Sequence, residues 1–193
     1  MDDLNDIPLP DSVPAIEADT RRLQFPMASD TQTGALLRTL AATMPNGRFL
    51  ELGTGTGLGT AWLLDGMDRE SRLITADNDH ACLAVAKHHL GSDARVEFRE
   101  QDGSALLDAL AGTSFDLIFA DTWPGKFWDM EKAVDLLKPG GIYIVDDLLP
   151  QPSWPDGHAE KVPPLLEKLQ NHPDLVSCRM VWSTGLLIAT RKA

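Results

Sequence analysis

Positive charge is scarce in this chain: 17 Lys and Arg stand against 29 Asp and Glu, a net charge of −12. A surface that negative repels phosphate backbones and anionic lipid, so the composition argues against nucleic-acid and membrane partners. Small molecules, cationic ones above all, meet no such barrier. Long apolar runs are missing too. Nothing approaches the roughly 20 residues of a membrane span, and no basic segment followed by an apolar one marks a secretory leader. Cysteine occurs only as Cys82 and Cys178, without metal-ligand spacing. The reading is two small buried hydrophobes in a reducing, cytoplasmic setting. Internal repeats are absent as well.

What remains is an ordinary globular composition, 43% hydrophobic and 24% charged over 193 residues, enough for one domain with a substantial core. Residues 1–14 carry Pro8, Pro10 and Pro14 among Asp2, Asp3, Asp6 and Asp11 and read as a flexible acidic leader. The domain proper is then 15–193, with 15–47 as an N-terminal helical cover. Ala15–Leu23 forms one short helix there, with Glu17 and Arg21 one turn apart. Ser29 or Asp30 caps the next, whose apolar face holds Ala35, Leu36, Leu37, Leu40 and Ala41, and Pro45-Asn46-Gly47 ends it.

From Arg48 onward, short apolar runs alternate with helical stretches. Strands are predicted at 48–52, Leu73–Ala76, Val96–Arg99, Phe115–Ala120 and Ile142–Val145. Helices are predicted near 58–66, 79–90, 104–110 and 128–137, the last one stopped by Lys138-Pro139-Gly140-Gly141. Strands separated by helices imply βαβ units and a parallel sheet with right-handed crossovers. The C-terminus departs from this pattern. Val176–Trp182 and Leu186–Thr190, joined by Ser183-Thr184-Gly185, read as a β-hairpin whose last strand runs antiparallel. Pro163-Pro164 begins, or kinks, the helix before it. The fold class is α/β, a three-layer sandwich around a mostly parallel seven-stranded sheet with a C-terminal antiparallel hairpin strand.

The chemistry centres on "ELGTGTGLGTAWL", residues 51–63. Glycines between a strand and a helix N-terminus allow positive φ and close backbone approach, and the free N–H groups there favour an anionic ligand group. The dinucleotide spacing G-x-G-x-x-G fits neither register, because Leu58 or Thr60 occupies the third position. The pattern is E-x-G-x-G-x-G through Glu51, Gly53, Gly55 and Gly57. So placed, it resembles motif I of the Rossmann-like, class I S-adenosylmethionine-dependent methyltransferases, and the closing hairpin is similar to that family too.

The resemblance implies a cofactor site of Glu51, Gly53, Thr54, Gly55, Gly57, Asp77, Asn78, Asp102, Gly103, Ser104 and Asp121. In it Asp77 would accept from the ribose hydroxyls. The Asp102-Gly103-Ser104 loop would meet the adenine, and Glu51 would lie near the methionine ammonium. A carboxylate suits a vicinal diol because its two oxygens accept side by side. Asp79 and Asp102 also have the makings of plain helix caps. Acids at the C-terminal ends of successive strands form the ligand crevice of open α/β sheets.

"FDLIFADTWPGKF" and "IYIVDDLLPQPSW" resemble the catechol and caffeoyl-CoA type O-methyltransferases, and "PMASDTQTGALL", residues 26–37, is similar to their cofactor cover. There Asp after the fourth strand and Asp-Asn after the fifth hold a divalent ion. Asp121, Asp146 and Asp147 occupy those places, with Asp where Asn is usual, a set of oxygens that would suit Mg²⁺ or another divalent cation. Without a metal, the two fifth-strand acids orient or deprotonate the acceptor. The family's lysine, three residues after the first Asp, is replaced by Pro124, which leaves Lys126 as the nearest. The candidate catalytic set is Asp121, Asp146 and Lys126. Trp123 matches a substrate-pocket tryptophan of the catechol branch, and Trp128 and Trp154 fit either an acceptor wall or the core. His158 has a suitable pKa for a base but reads as a surface loop residue, and His80, His88, His89 and His172 carry no role.

The expected activity is methyl transfer to a small-molecule acceptor, on oxygen first, with a homodimer implied by resemblance only. Three alternatives stay open at this stage. An N-directed methyltransferase lacks its usual Asn-Pro-Pro-aromatic signature, since "DTWP" stands there. An NAD-dependent oxidoreductase conflicts with the glycine spacing. A non-catalytic adenosyl-cofactor-binding homologue is kept open by the missing lysine and the replaced Asn.

Overall fold

The computed structural model describes residues 7–193, so the first six residues of the expected leader lie outside the described residues. The rest of that leader does not stay extended. Residues 7–10 run to a turn, and helix α1 (Val13–Leu23) already begins at Val13 with Val13 and Ile16 buried. Helix α2 (Thr31–Ala42) follows, capped by the Asp30 side chain on Thr33 N at 2.9 Å. Then come β1 (Arg48–Leu52), α3 (Leu58–Gly66), β2 (Arg72–Asp77), α4 (His80–Leu90), β3 (Val96–Glu100), α5 (Gly103–Ala109) and β4 (Phe115–Ala120). The chain continues through α6 (Met130–Asp135), β5 (Leu137–Val145), α7 (His158–Gln170), β6 (Leu175–Met180) and β7 (Leu186–Arg191).

The seven strands form one sheet in the order β3-β2-β1-β4-β5-β7-β6. Strands β1 to β5 pair in parallel, and β7 runs antiparallel to both β5 and β6. The order reverses between β1 and β4, and ligands of open α/β sheets bind outside the strand ends at such a point. Strand alternation divides the core into two layers. Leu50, Leu52, Ile118, Ala120, Tyr143 and Val145 pack toward the α5–α7 side. Phe49, Leu73, Leu117, Phe119 and Ile144 pack with buried residues of α1–α4 on the other face. Among the described residues no helix is long and apolar enough to cross a membrane.

Three expectations change. Lys138-Pro139-Gly140-Gly141 does not end a long helix but lies inside β5. There the pairing with β4 slips between Leu137 opposite Phe115 and Ile142 opposite Leu117, because proline and a left-handed glycine (Gly140, φ +80°) break the ladder. Helix α6 is accordingly only six residues long. Helix α7 starts at His158, five residues ahead of Pro163, so the prolines fall in its second turn. Cys178 is exposed while Cys82 is buried, since Cys178 belongs to the edge strand β6 and that strand is covered on one side only.

A carboxylate enters the α1–α4 core layer. Glu51 of β1 is fully buried. Its Oε2 accepts from the hydroxyls of Thr60 (2.5 Å) and Thr75 (2.6 Å), while Oε1 has no partner. Loss of water outweighs those two bonds, and the Asp77 charge adds to the effect, so the Glu51 carboxyl is pushed from 4.5 up to about 7. A raised acid favours its proton in the folded state. The resulting penalty is absent below about pH 4.5, where both states are protonated, and grows until pH passes about 7. Glu51→Gln should remove this component. Urea denaturation should show the stability difference between variant and wild type rising in the variant's favour by up to about 1.4 kcal/mol per pH unit across that window. A difference that stays flat with pH would mean Glu51 keeps an ordinary pKa.

Candidate functional site

The turn after β1 is built from backbone. Gly53 N and Thr54 N both donate to Ala76 O, at 2.9 and 3.0 Å, tying the end of β1 to β2. Gly53 takes φ +102°, and a Cβ there would lie 2.9 Å from Asp121 O. Gly57 takes φ +94°, and a Cβ there would meet Ala86 Cβ at 2.9 Å. Side chains are therefore excluded twice over, by conformation and by space. Helices α2, α4 and α5 are capped by Asp30, Asp79 and Asp102 respectively. Helix α3 begins at Gly57 without a side-chain cap. Its first N–H groups lack intrahelical partners and carry the positive end of the helix dipole.

That end opens on a cavity of about 310 Å³. Gly53, Thr54, Gly55, Thr56 and Leu58 form its floor, Asp77, Asn78 and Asp79 follow β2, and Asp121, Thr122, Trp123 and Lys126 follow β4. Asp147, Trp154 and His158 come from the segment after β5 and the start of α7, and Phe25, Met27, Ala28 and Ser29 form a strap from the N-terminal cover. A smaller cavity of about 50 Å³ shares Gly53, Asp77, Asn78 and Thr122 and adds Gln101, Asp102 and Gly103.

The topology thus gathers Gly53, Thr54, Gly55, Asp77, Asn78, Asp121, Asp102 and Gly103 around two adjoining spaces. It does not bring in four of the predicted residues. Glu51 lies behind the loop, held by Thr60 and Thr75. Gly57 turns the chain without lining either space, and Ser104 follows the Asp102 cap, to which its backbone N donates at 2.8 Å, without lining either space. Asp146 is buried beneath the wall. Some wall residues are also engaged with the main chain. Asp77 accepts Gly55 N at 2.7 Å and Asp79 N at 2.9 Å, and Asp102 caps α5 through Ser104 N at 2.8 Å.

After β4 the chain folds back on itself. Gly125 N donates to Trp128 O at 2.7 Å and Lys126 N to Trp123 O at 3.1 Å, and the Tyr143 hydroxyl holds Gly125 O. This turn, closed around Pro124, swings Lys126 inward until it is 1% exposed, with Nζ donating to Asp146 O at 3.0 Å.

The charge of that ammonium acts on two nearby carboxylates, Asp121 and Asp146. Burial raises Asp121 well above the usual carboxylate range, and the charges of Asp146 and Asp147 push the same way, against Lys126 and the Ser29 hydroxyl bonded at 3.0 Å. Burial likewise pushes Asp146 up to about 6, with Asp147 adding to it. The predicted metal set is nonetheless not assembled. Asp146 is 2% exposed, and its Oδ1 is occupied by the Thr184 hydroxyl and by Asp147 N at 2.7 Å. Asp147 departs along a left-handed backbone, φ +59°. Among the described residues no group of three or more His, Cys, Asp or Glu side chains comes together to hold an ion. The residues present do not fit a divalent metal, and the cation among these acids is Lys126.

The histidine expected on the surface is buried. His158, the first residue of α7, is 2% exposed and lines the large cavity. Trp154 stacks on it at 4.4 Å between ring centroids, and Phe127 meets it edge-on at 4.9 Å. Trp123 lies at 6.4 Å from His158 and carries the Lys161 ammonium 4.5 Å above its own ring. Trp128 is 44% exposed and forms no part of the wall. Sequence reasoning missed Phe25, Thr56, Ser153 and Pro155. They reach the cavity through loop paths that no periodic pattern encodes, and only the aromatic character of Phe25 offered a signal.

Comparison with known proteins agrees with this geometry. The sequence profile described as a methyltransferase domain matches residues 50–148. The catechol O-methyltransferase of Mycobacterium tuberculosis is 31% identical over 127 residues, 64% of this chain and 58% of that protein. The chain spans about half the length of the first curated relatives it matches. Among solved structures, cofactor-bound Rv0187 from M. tuberculosis superposes with a TM-score of 0.81 at 26% identity, covering 94% of this chain and 89% of that one. The O-methyltransferase TomG from Streptomyces achromogenes, solved in complex with SAM, superposes at 0.83 over 98% of this chain and 93% of its own. At 23% identity, TomG bears on the fold alone. With more than half its length inside the family profile, the strand order described above and the glycine loop at the expected strand end, this chain belongs to the methyltransferase domain family.

Proposed function

We propose that the chain binds S-adenosylmethionine across the two adjoining cavities and transfers its methyl group to an oxygen of a small molecule. The observation that carries the reading is the uncapped N-terminus of α3 opening on a cavity lined by Asp77, Asp79, Asp121 and Asp147. Free N–H groups suit a carboxylate, and the surrounding acids suit a ligand with positive charge. An amino acid carrying a sulfonium presents both. S-adenosylmethionine supplies an electrophilic methyl group on a positively charged sulfur.

The residues divide the remaining work. Asp77 offers a carboxylate to a ribose diol, and the smaller cavity at Asn78, Gln101, Asp102 and Gly103 has donors and acceptors for a base edge. The Phe25–Ser29 strap and the aromatic wall keep water from the transfer line, where alignment of nucleophile, carbon and sulfur supplies much of the rate. Lys126, with one of its three donors on Asp146 O, stabilises negative charge developing on the acceptor oxygen.

Calorimetry should give saturable binding of S-adenosylmethionine and of its demethylated product, with none for NADH. Asp77→Ala should weaken both adenosyl ligands at least about tenfold, roughly 1.4 kcal/mol. If neither adenosyl ligand binds, the reading is wrong.

A second measurement concerns the cation. Methylation of catechols should persist in excess EDTA, whereas Lys126→Met should lower kcat about tenfold or more and leave cofactor affinity nearly unchanged. Loss of activity in chelator, restored by Mg²⁺, would return the metal role to Asp121, Asp146 and Asp147.

A further inference from the structure

Resting on the methyltransferase reading, we propose that His158 is the general base for a phenolic acceptor, taking the hydroxyl proton on Nδ1 within an enclosure of Trp123, Phe127 and Trp154. Its tautomer follows from one contact. His158 Nε2 lies 3.0 Å from Asp147 O. A carbonyl oxygen only accepts, so Nε2 carries the ring hydrogen and Nδ1 of the neutral ring is a lone pair. That Nδ1 is buried and has no hydrogen-bond partner. The neutral form is also the one its surroundings favour. Burial lowers the imidazole pKa, the nearby ammonium groups of Lys126 and Lys161 act in the same direction, and the opposing contributions come from Asp147, through its carbonyl and its charge.

The second unmatched group is a donor. Trp154 Nε1, on the ring stacked against His158, is likewise buried without a partner. Orphaned buried polar atoms are rare in folded proteins. Here one acceptor and one donor stand on adjacent rings in the wall of the large cavity. A hydroxyl has the chemistry to match both, since it donates to an acceptor such as Nδ1 and accepts from a donor such as Nε1–H. The surrounding surface is aromatic, which selects a flat ring to carry that hydroxyl. Acidity selects in the same sense. A phenol, with a pKa near 10 like that of tyrosine, can give its proton to an imidazole as its oxygen is alkylated, whereas an aliphatic alcohol is far too weak an acid.

The step balances. The acceptor oxygen forms its bond to the methyl carbon, and the carbon–sulfur bond breaks with its electron pair going to sulfur, which becomes neutral. The hydroxyl proton passes to His158 Nδ1, leaving an imidazolium whose Nε2–H stays on Asp147 O, and the proton then leaves to solvent.

The test uses the full chain, saturating S-adenosylmethionine and ring-substituted phenols and catechols, from methoxy-substituted acceptors to nitro-substituted ones already ionised at the assay pH. His158→Gln should lower kcat about 100-fold or more on the un-ionised acceptors, less than about threefold on the ionised ones, and leave cofactor affinity unchanged by calorimetry. An equal loss across the series would make His158 structural, and no loss on un-ionised phenols would remove it from the reaction. Trp154→Phe keeps the stacked ring and removes the donor, so it should lower kcat/KM on phenols about tenfold. Unchanged rates would overturn the two-point hydroxyl contact. A wild-type protein that binds the cofactor but methylates no phenol in the series overturns this inference and leaves the methyltransferase reading standing. Failure to bind the cofactor removes the reading beneath it.

Discussion

A carboxylate taken out of water needs compensation, and the C-terminal edge of this sheet buries several with little of it. Glu51, Asp121 and Asp146 leave the ends of β1, β4 and β5 within one region, and each is pushed toward its protonated form. The ammonium of Lys126 offsets part of this at Asp121 and Asp146. Hydroxyls from Thr60, Thr75, Ser29 and Thr184 soften the deficit without removing it. Neutralising such an edge takes protons or nearby positive charge. The fold tolerates it because two apolar layers, one on each face of the sheet, carry stability elsewhere.

The rest of the site follows from where that edge faces. Parallel strands point their C-terminal ends the same way, so the helix N-termini that follow them converge there too. Helices α4 and α5 close their first turn with aspartate, but α3 cannot, because its cap position is a glycine in a left-handed conformation. Gly57 cannot gain a side chain without striking Ala86 in α4. Close packing between the loop and α4 therefore keeps the α3 terminus free of a side-chain cap, next to the acids. Opposite charge preferences end up side by side.

Much of this was legible in the sequence because it is periodic or local. The strand runs of β1, β2, β4 and β5 are nearly continuous apolar stretches, as two-sided burial demands, and Asp77 and Asp121 follow directly from their strand ends. What was not legible depends on paths through loops. Lys126 could be counted from Asp121 but not oriented, since its burial comes from the turn between Trp123 and Trp128 and from Tyr143, far off in sequence, holding Gly125. Asp146 looked like a ligand because the Asp146-Asp147 pair after β5 resembles the Asp-Asn of the catechol-type family. Its carboxylate is instead taken by Thr184, from the loop between β6 and β7. Likewise, Lys138-Pro139-Gly140-Gly141 has the composition of a helix stop, and only pairing with β4 turns it into a bulged strand.

His158 illustrates the limit most directly. In sequence it is a lone histidine within "PDGHAEK", which composition alone places at the surface. Its burial requires Trp154 and Phe127 to cover it from two directions and Asp147 O to meet Nε2. Asp147 can present that carbonyl because it takes φ +59° at the end of β5. The same left-handed residue thus breaks up the expected ligand set and fixes the imidazole tautomer. The separation of Asp147 from Asp146 and the contact between Asp147 O and the buried imidazole meet at one backbone turn.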